Sequence, residues 1–198
     1  MRFPLAMQFK ILALAPQIAV TDADGNEVLY VQQKMFKLKE EIRVYRDRSK
    51  GDLVYEIRAD RVLDFSARYG FTDAGGNPVG SVKRAGARSL WRAHYDVAGP
   101  AGEPLLTLRE ENPWVKLLDG LLDSIPILGA LTGYFLHPRY ALSAPSTDRP
   151  LLRVIKRRSF FESRFDLVED TPAALPEPQE VPAVLAVLMM VLLERSRG

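Results

Sequence analysis

The chain has 198 residues, 47% of them hydrophobic and 26% charged, with a net charge of +2 and no cysteine. These totals suit a soluble globular protein with a proper core. They exclude disulfides, thiolate metal centres, cysteine nucleophiles and thioester-linked lipid. So small a net charge gives no ground for a nucleic-acid partner, and no run reaches the ~18 apolar residues that mark a membrane-spanning helix.

At the N-terminus, Arg2 followed by apolar residues has the outline of a secretory leader, but Gln8 and Lys10 interrupt it. No cleaved leader is expected, and the reading is a cytoplasmic protein, at most peripheral to a membrane. Four turn signals then follow at near-constant spacing: Asp24-Gly25, Lys50-Gly51, Gly75-Gly76-Asn77 and Gly99 to Gly102. Steps of roughly 25 residues mark an internal repeat. Each turn lies between stretches that alternate apolar and polar, so each repeat is a β-hairpin. Trp91, Ala93, Tyr95 and Val97 make one apolar face, and Arg92, His94 and Asp96 the other. Ile42 and Val44 alternate likewise, as do Leu53, Tyr55 and Ile57.

After the fourth hairpin the period changes. Asn112 can cap, Pro113 fits the first helical position, and Trp114, Leu117, Leu118, Leu121, Leu122 and Ile125 recur at helical spacing up to Pro126. Ile127 to Leu136 is apolar, with Gly129 and Gly133 inside it. A fifth hairpin turns around Ser146 to Pro150, and a last strand covers Phe160 to Val168. The stretch from Glu169 to Pro182 carries four prolines and reads as an extended connector.

The tail, Val181 to Leu193, is the most apolar stretch and has no charge until Glu194. A helix apolar on every side must be surrounded by lipid or by its own protein. At 1.5 Å per residue it spans only about 20 Å against roughly 30 Å of bilayer core, so burial in protein is the expectation. Five hairpins and their flanking strands make about ten to twelve strands, and a sheet that large must curl or be covered.

The hairpin Ile18-x-Val20-x-Asp22-x-Asp24-Gly25-Asn26-Glu27-Val28-x-Tyr30-Val31, then Lys34-x-Phe36 and Ile42-x-Val44, resembles the LURP-one-related proteins. Arg68-Tyr69 to Lys83-Arg84, and Pro150 to Val168 with Ser159-Phe160-Phe161 ahead of Arg164-Phe165-Asp166-Leu167, extend the resemblance over most of the chain. That family is similar in fold to the tubby C-terminal domain and the phospholipid scramblases. The resemblance implies a mainly β fold with some α: a closed antiparallel barrel of about twelve strands, built from hairpin repeats, around a central apolar C-terminal helix. Residues 1–198 then form a single domain, with a helical insertion at about 113–138 and the core helix at about 180–195. The scramblases' acidic calcium-binding segment and palmitoylated cysteines are missing, which argues against lipid scrambling.

Motifs for catalysis are weak. Asp22-x-Asp24-Gly25-Asn26 resembles the start of a calcium loop, but the glutamate needed at position 12 of such a loop is Gln33. The glycines at Gly70, Gly75, Gly76 and Gly80 match neither a dinucleotide nor a phosphate-loop pattern. His94 and His137 have no metal-ligand spacing, and Ser159 and Ser163 have no nucleophile elbow. No enzyme, metal or cofactor is expected.

The suggestive feature is basic. Lys83, Arg84, Arg88 and Arg92 occur with no acid between Asp73 and Asp96, and Arg153, Lys156, Arg157 and Arg158 make a second cluster. Two readings stay open. The clusters are headgroup-binding candidates, each residue contributing up to about 1 kcal/mol at an anionic phospholipid surface; or they are a solvated sheet face where cations discourage strand addition. The segment Trp114 to Leu136 is open in the same way, packing internally over a barrel end, touching a membrane interface, or contacting a protein partner or a second copy. The function read from this is a non-enzymatic scramblase-like or tubby-like barrel that binds anionic phospholipid. Its alternative is a protein-interaction scaffold.

Overall fold

A computed structural model of the chain describes residues 1–10, 17–32, 41–60, 67–85, 93–111, 139–147, 149–157 and 162–195. Twelve strands form a closed barrel. They are β1 (Leu5–Lys10), β2 (Gln17–Thr21), β3 (Glu27–Gln32), β4 (Glu41–Tyr45), β5 (Leu53–Ala59), β6 (Arg68–Asp73), β7 (Pro78–Arg84), β8 (His94–Ala98), β9 (Pro104–Glu110), β10 (Arg139–Ser143), β11 (Pro150–Arg157) and β12 (Glu162–Glu169). Each pairs antiparallel with its chain neighbours, and β1 closes the circle on β12, Leu5 standing opposite Leu167 and Phe9 opposite Ser163. The interrupted apolar N-terminus is thus a stave of the wall. Its alternation puts Leu5, Met7 and Phe9 inward, with Ala6 and Lys10 outward and exposed.

The five expected hairpins are all present, and the repeat is a repeat of turn geometry. Gly25 donates its N–H to the Asp22 carbonyl at 3.0 Å, and Gly76 does the same to Asp73 and Gly102 to Gly99 at the same distance. These glycines have φ of 83°, 82° and 85°, which a side chain would strain. A register shift beside each turn, as between Val20 and Thr21 or Phe71 and Thr72, completes the same short bulged loop. In the second hairpin Lys50, at φ 58°, stands near the turn where the first, third and fourth have glycine.

The interior is filled by α1 (Glu177–Arg195). Ala183 to Leu192 are each no more than 3% exposed, so the helix is buried on every side. The wall supplies a layer of Val, Leu, Ile and Phe, including Val20, Ile57, Phe71, Leu108 and Leu167. The helix starts three residues before the expected 180. Pro178 falls in its first turn, where a missing N–H costs nothing, and Glu177 and Glu180 there suit the positive end of the helix dipole. Pro182 stands inside the helix against Gly80 of β7: a Cβ at Gly80, whose φ is 154°, would lie 3.3 Å from Pro182 and 2.8 Å from the Ala98 carbonyl oxygen. The expected insertion, residues 113–138, lies outside the described residues.

Candidate functional site: the outer wall of the barrel

With α1 in the interior, the surface that the described strands offer is the outer wall. In a strand, neighbouring side chains point to opposite faces. Lys83 is therefore outward and exposed, while Arg84 is inward and only 7% exposed, its guanidinium 5.6 Å from the centre of the Tyr95 ring. Arg84 shares the inner face with Glu110, 3% exposed, whose Oε2 accepts the Ala93 N–H at 3.4 Å. An arginine stacked on a buried aromatic ring serves the barrel itself.

On β11, Arg153 and Arg157 point outward, and Lys156 shares the parity of inward Leu152 and Val154 and is half-buried. Arg153 is held by Asp170 at 2.7 Å and Glu111 at 3.5 Å, and Arg157 by Asp166 at 2.5 Å. Arg88, Arg92 and Arg158 lie outside the described residues. The two proposed clusters do not merge: β8, β9 and β10 separate β7 from β11.

The wall does assemble a different basic group. Arg157 stands directly opposite Arg164 of β12, and Arg164 opposite Gln8 of β1, with Lys10 two residues further along the same face. Across the other edge of β11, Arg139 of β10 pairs with Ile155, again two residues from Arg157. Arg139, Arg157, Arg164 and Lys10 are all exposed, and they form an arc over four adjacent strands, β10, β11, β12 and β1. Of these, Lys10, Arg139 and Arg164 were not singled out from the sequence, because residues at opposite ends of a chain become neighbours only when the barrel closes.

The arc lies on the rim where β1 and β11 end and β10 and β12 begin. The other end of the barrel carries the five tight hairpins, the start of α1 and an acidic set. There Asp73 accepts from the Asn77 side chain and main chain, at 3.0 Å and 2.8 Å, which holds its carboxyl below the ordinary range. Asp47 is lowered likewise by Ser49, whose N–H it accepts at 2.8 Å. Glu180 receives the Met1 ammonium at 2.6 Å, and Asp24 pairs with Arg2. Elsewhere on the wall charges cancel locally: Arg43 meets Glu41 at 2.6 Å and Arg58 meets Glu56 at 2.8 Å. His94 is half-buried, its Nε2 3.3 Å from Asp96. Among the described residues no three His, Asp or Glu side chains converge on a metal-sized site.

A closed twelve-stranded antiparallel wall around one buried C-terminal helix defines a barrel of the tubby-like and scramblase-like class. The sequence profile of the LURP-one-related family matches residues 27–175, more than half of the chain, and the chain belongs to that family. It is also similar to an Arabidopsis thaliana protein of known X-ray structure, at 15% identity, over 96% of this chain and 91% of that one, with a TM-score of 0.49. No curated protein matches the sequence.

Proposed function

We propose that this protein is a non-enzymatic barrel that docks from the cytoplasmic side onto an anionic phospholipid surface, through the outer wall at the rim opposite its hairpin turns. The observation that carries the reading is the arc of Lys10, Arg139, Arg157 and Arg164, set apart from the acidic hairpin end. Acidic residues stand at that rim too, Glu162 opposite Lys10 and Asp166 against Arg157, but a body with an excess of cations at one end and of carboxylates at the other is oriented by a negative surface before contact. Exposed Lys83, three strands further round, adds to the same sign of field. Among the described residues no helix is long and apolar enough to cross a membrane, so attachment by this route is peripheral. Among the described residues the interior is occupied by the buried helix, which favours a surface role over a chamber for a substrate.

Flotation with phosphatidylcholine vesicles, with and without phosphatidylserine, tests the reading. Binding is expected only to the anionic vesicles and falls as salt rises, since the Debye length shrinks from about 30 Å at 0.01 M to about 8 Å at physiological ionic strength. Changing Lys10, Arg139, Arg157 and Arg164 together to glutamine lowers partitioning by roughly tenfold or more, at up to about 1 kcal/mol per cation. Absence of binding to any anionic vesicle at low salt, or unchanged binding by the fourfold variant, overturns the reading. In that event a protein partner is the remaining candidate.

A further inference from the structure

Strand register decides which charges face one another on the outer wall. On β4 and β5 it sets unlike charges together, Glu41 opposite Arg58 and Arg43 opposite Glu56. On β6 and β7 it sets Arg68 opposite Lys83, but Lys83 has Asp96 of β8 on its other side. On β11 and β12 it sets Arg157 opposite Arg164, and on the other side of Arg164 stands Gln8 of β1, which brings no acid to the row. Residues directly opposite hold their Cβ atoms about 5 Å apart, and like charges so placed destabilise a sheet. The Arg157–Arg164 pair is thus a local cost to the wall that an anion shared between the two guanidinium groups relieves.

The surroundings say what charge that anion should carry. Asp166 accepts from the Nε of Arg157 at 2.5 Å and steadies that side chain, which is nevertheless 62% exposed. Arg164 is exposed as well. Arg139 and Lys10 complete the arc, with Glu162 opposite Lys10. Four cations against two acids leave an excess of two positive charges. A phosphomonoester carries nearly two negative charges at neutral pH and three acceptor oxygens, whereas a phosphodiester carries one negative charge. Each guanidinium fork can give two parallel N–H bonds to phosphate oxygens, a geometry that lysine cannot supply.

We infer that the facing pair Arg157 and Arg164 clamps a phosphomonoester headgroup on the docked membrane, and so selects among anionic lipids. The inference rests on the docking reading, since the pair lies within the arc. It adds a choice of headgroup where the arc by itself would answer only to surface charge.

The test uses the full chain in flotation with two sets of phosphatidylcholine vesicles, one carrying phosphatidic acid, a phosphomonoester, and one carrying phosphatidylserine, a diester. The two sets are matched in zeta potential. Wild type is expected to partition about tenfold more strongly onto phosphatidic acid, the worth of one additional charged hydrogen bond. The double variant Arg157→Lys, Arg164→Lys keeps both charges and removes both forks. It is expected to bind phosphatidylserine within twofold of wild type and to lose the preference for phosphatidic acid. Both side chains are exposed, so the variant folds, which an unchanged melting curve checks. Equal binding of wild type to the two sets overturns the clamp and leaves docking standing. A preference that survives undiminished in the double variant also overturns the clamp, because charge alone then accounts for it. Failure to float with either set overturns docking and the clamp together.

Discussion

Removing the C-terminal helix is the sharpest test of where its apolar surface belongs. A chain ending at Pro176 lacks all of α1, from Glu177 onward. Between Ala183 and Leu192 it loses Val184, Leu185, Val187, Leu188, Met189, Met190, Val191 and Leu192, none more than 3% exposed. At about 2 kcal/mol for each large apolar side chain buried, the lost transfer free energy is roughly 16 kcal/mol. That exceeds the 5–15 kcal/mol by which domains are ordinarily stable, before any charge for the cavity left inside the wall. The truncated chain is therefore expected to lose cooperative thermal unfolding by circular dichroism and amide dispersion by NMR. A graded version, Leu185→Ala, should cost about 3 kcal/mol and lower Tm by roughly 6–12 °C. A truncated chain that still unfolds cooperatively, losing only membrane attachment, would refute the argument that the wall needs its plug.

Gly80→Ala places a Cβ 2.8 Å from the Ala98 carbonyl oxygen and 3.3 Å from Pro182, at a backbone φ of 154°, so it should destabilise by about 1–3 kcal/mol in chemical denaturation. Lys83→Glu, on the outer face, should stay within about 0.5 kcal/mol of wild type. Arg84→Glu puts a carboxylate inside the wall and should cost several times more, by the same denaturation. Asp73 and Asp47 have folded pKa values below that of a free aspartate, so the stability they give is present above about pH 4 and is lost as pH falls through the folded values. A melting-temperature series from pH 6 to 2 should show Asp73→Ala converging on wild type at the acid end, and a constant difference across that range would count against turn capping.

The parts of the fold that were legible are those written locally. Aspartate, glycine and asparagine at the hairpin tips announce turns that need positive φ, and alternation between them announces half-buried strands. The tail announced itself because no polar stripe interrupts it. The closing pair, β1 with β12, was hidden: it joins the two ends of the sheet, and Gln8 with Lys10 in an apolar N-terminus reads as a broken leader until the outward parity of both is seen. Arg84 misled for a related reason. Its parity with Val82 already points inward, but a cation beside Lys83 suggests a shared basic face.

The architecture also decides what kind of partner remains. Every described strand has a hydrogen-bonded neighbour on both sides, so no edge is available for a peptide to extend the sheet. The interior enclosed by the described strands is occupied by α1, whose residues Ala183 to Leu192 are buried on every side. Among the described residues the surface left for recognition is the outer wall, and there a net charge of +2 conceals an uneven distribution. Carboxylates at the hairpin end cap turns and hold Arg2 and the Met1 ammonium, whereas on β10, β11, β12 and β1 four cations gather in one arc that includes Glu162 opposite Lys10 and Asp166 against Arg157. Of the arc's cations, Arg157 meets Asp166 at 2.5 Å, a contact that is exposed on the arginine side and so weak. An anion at the surface competes readily with so weak a contact, as reversible docking through the arc requires.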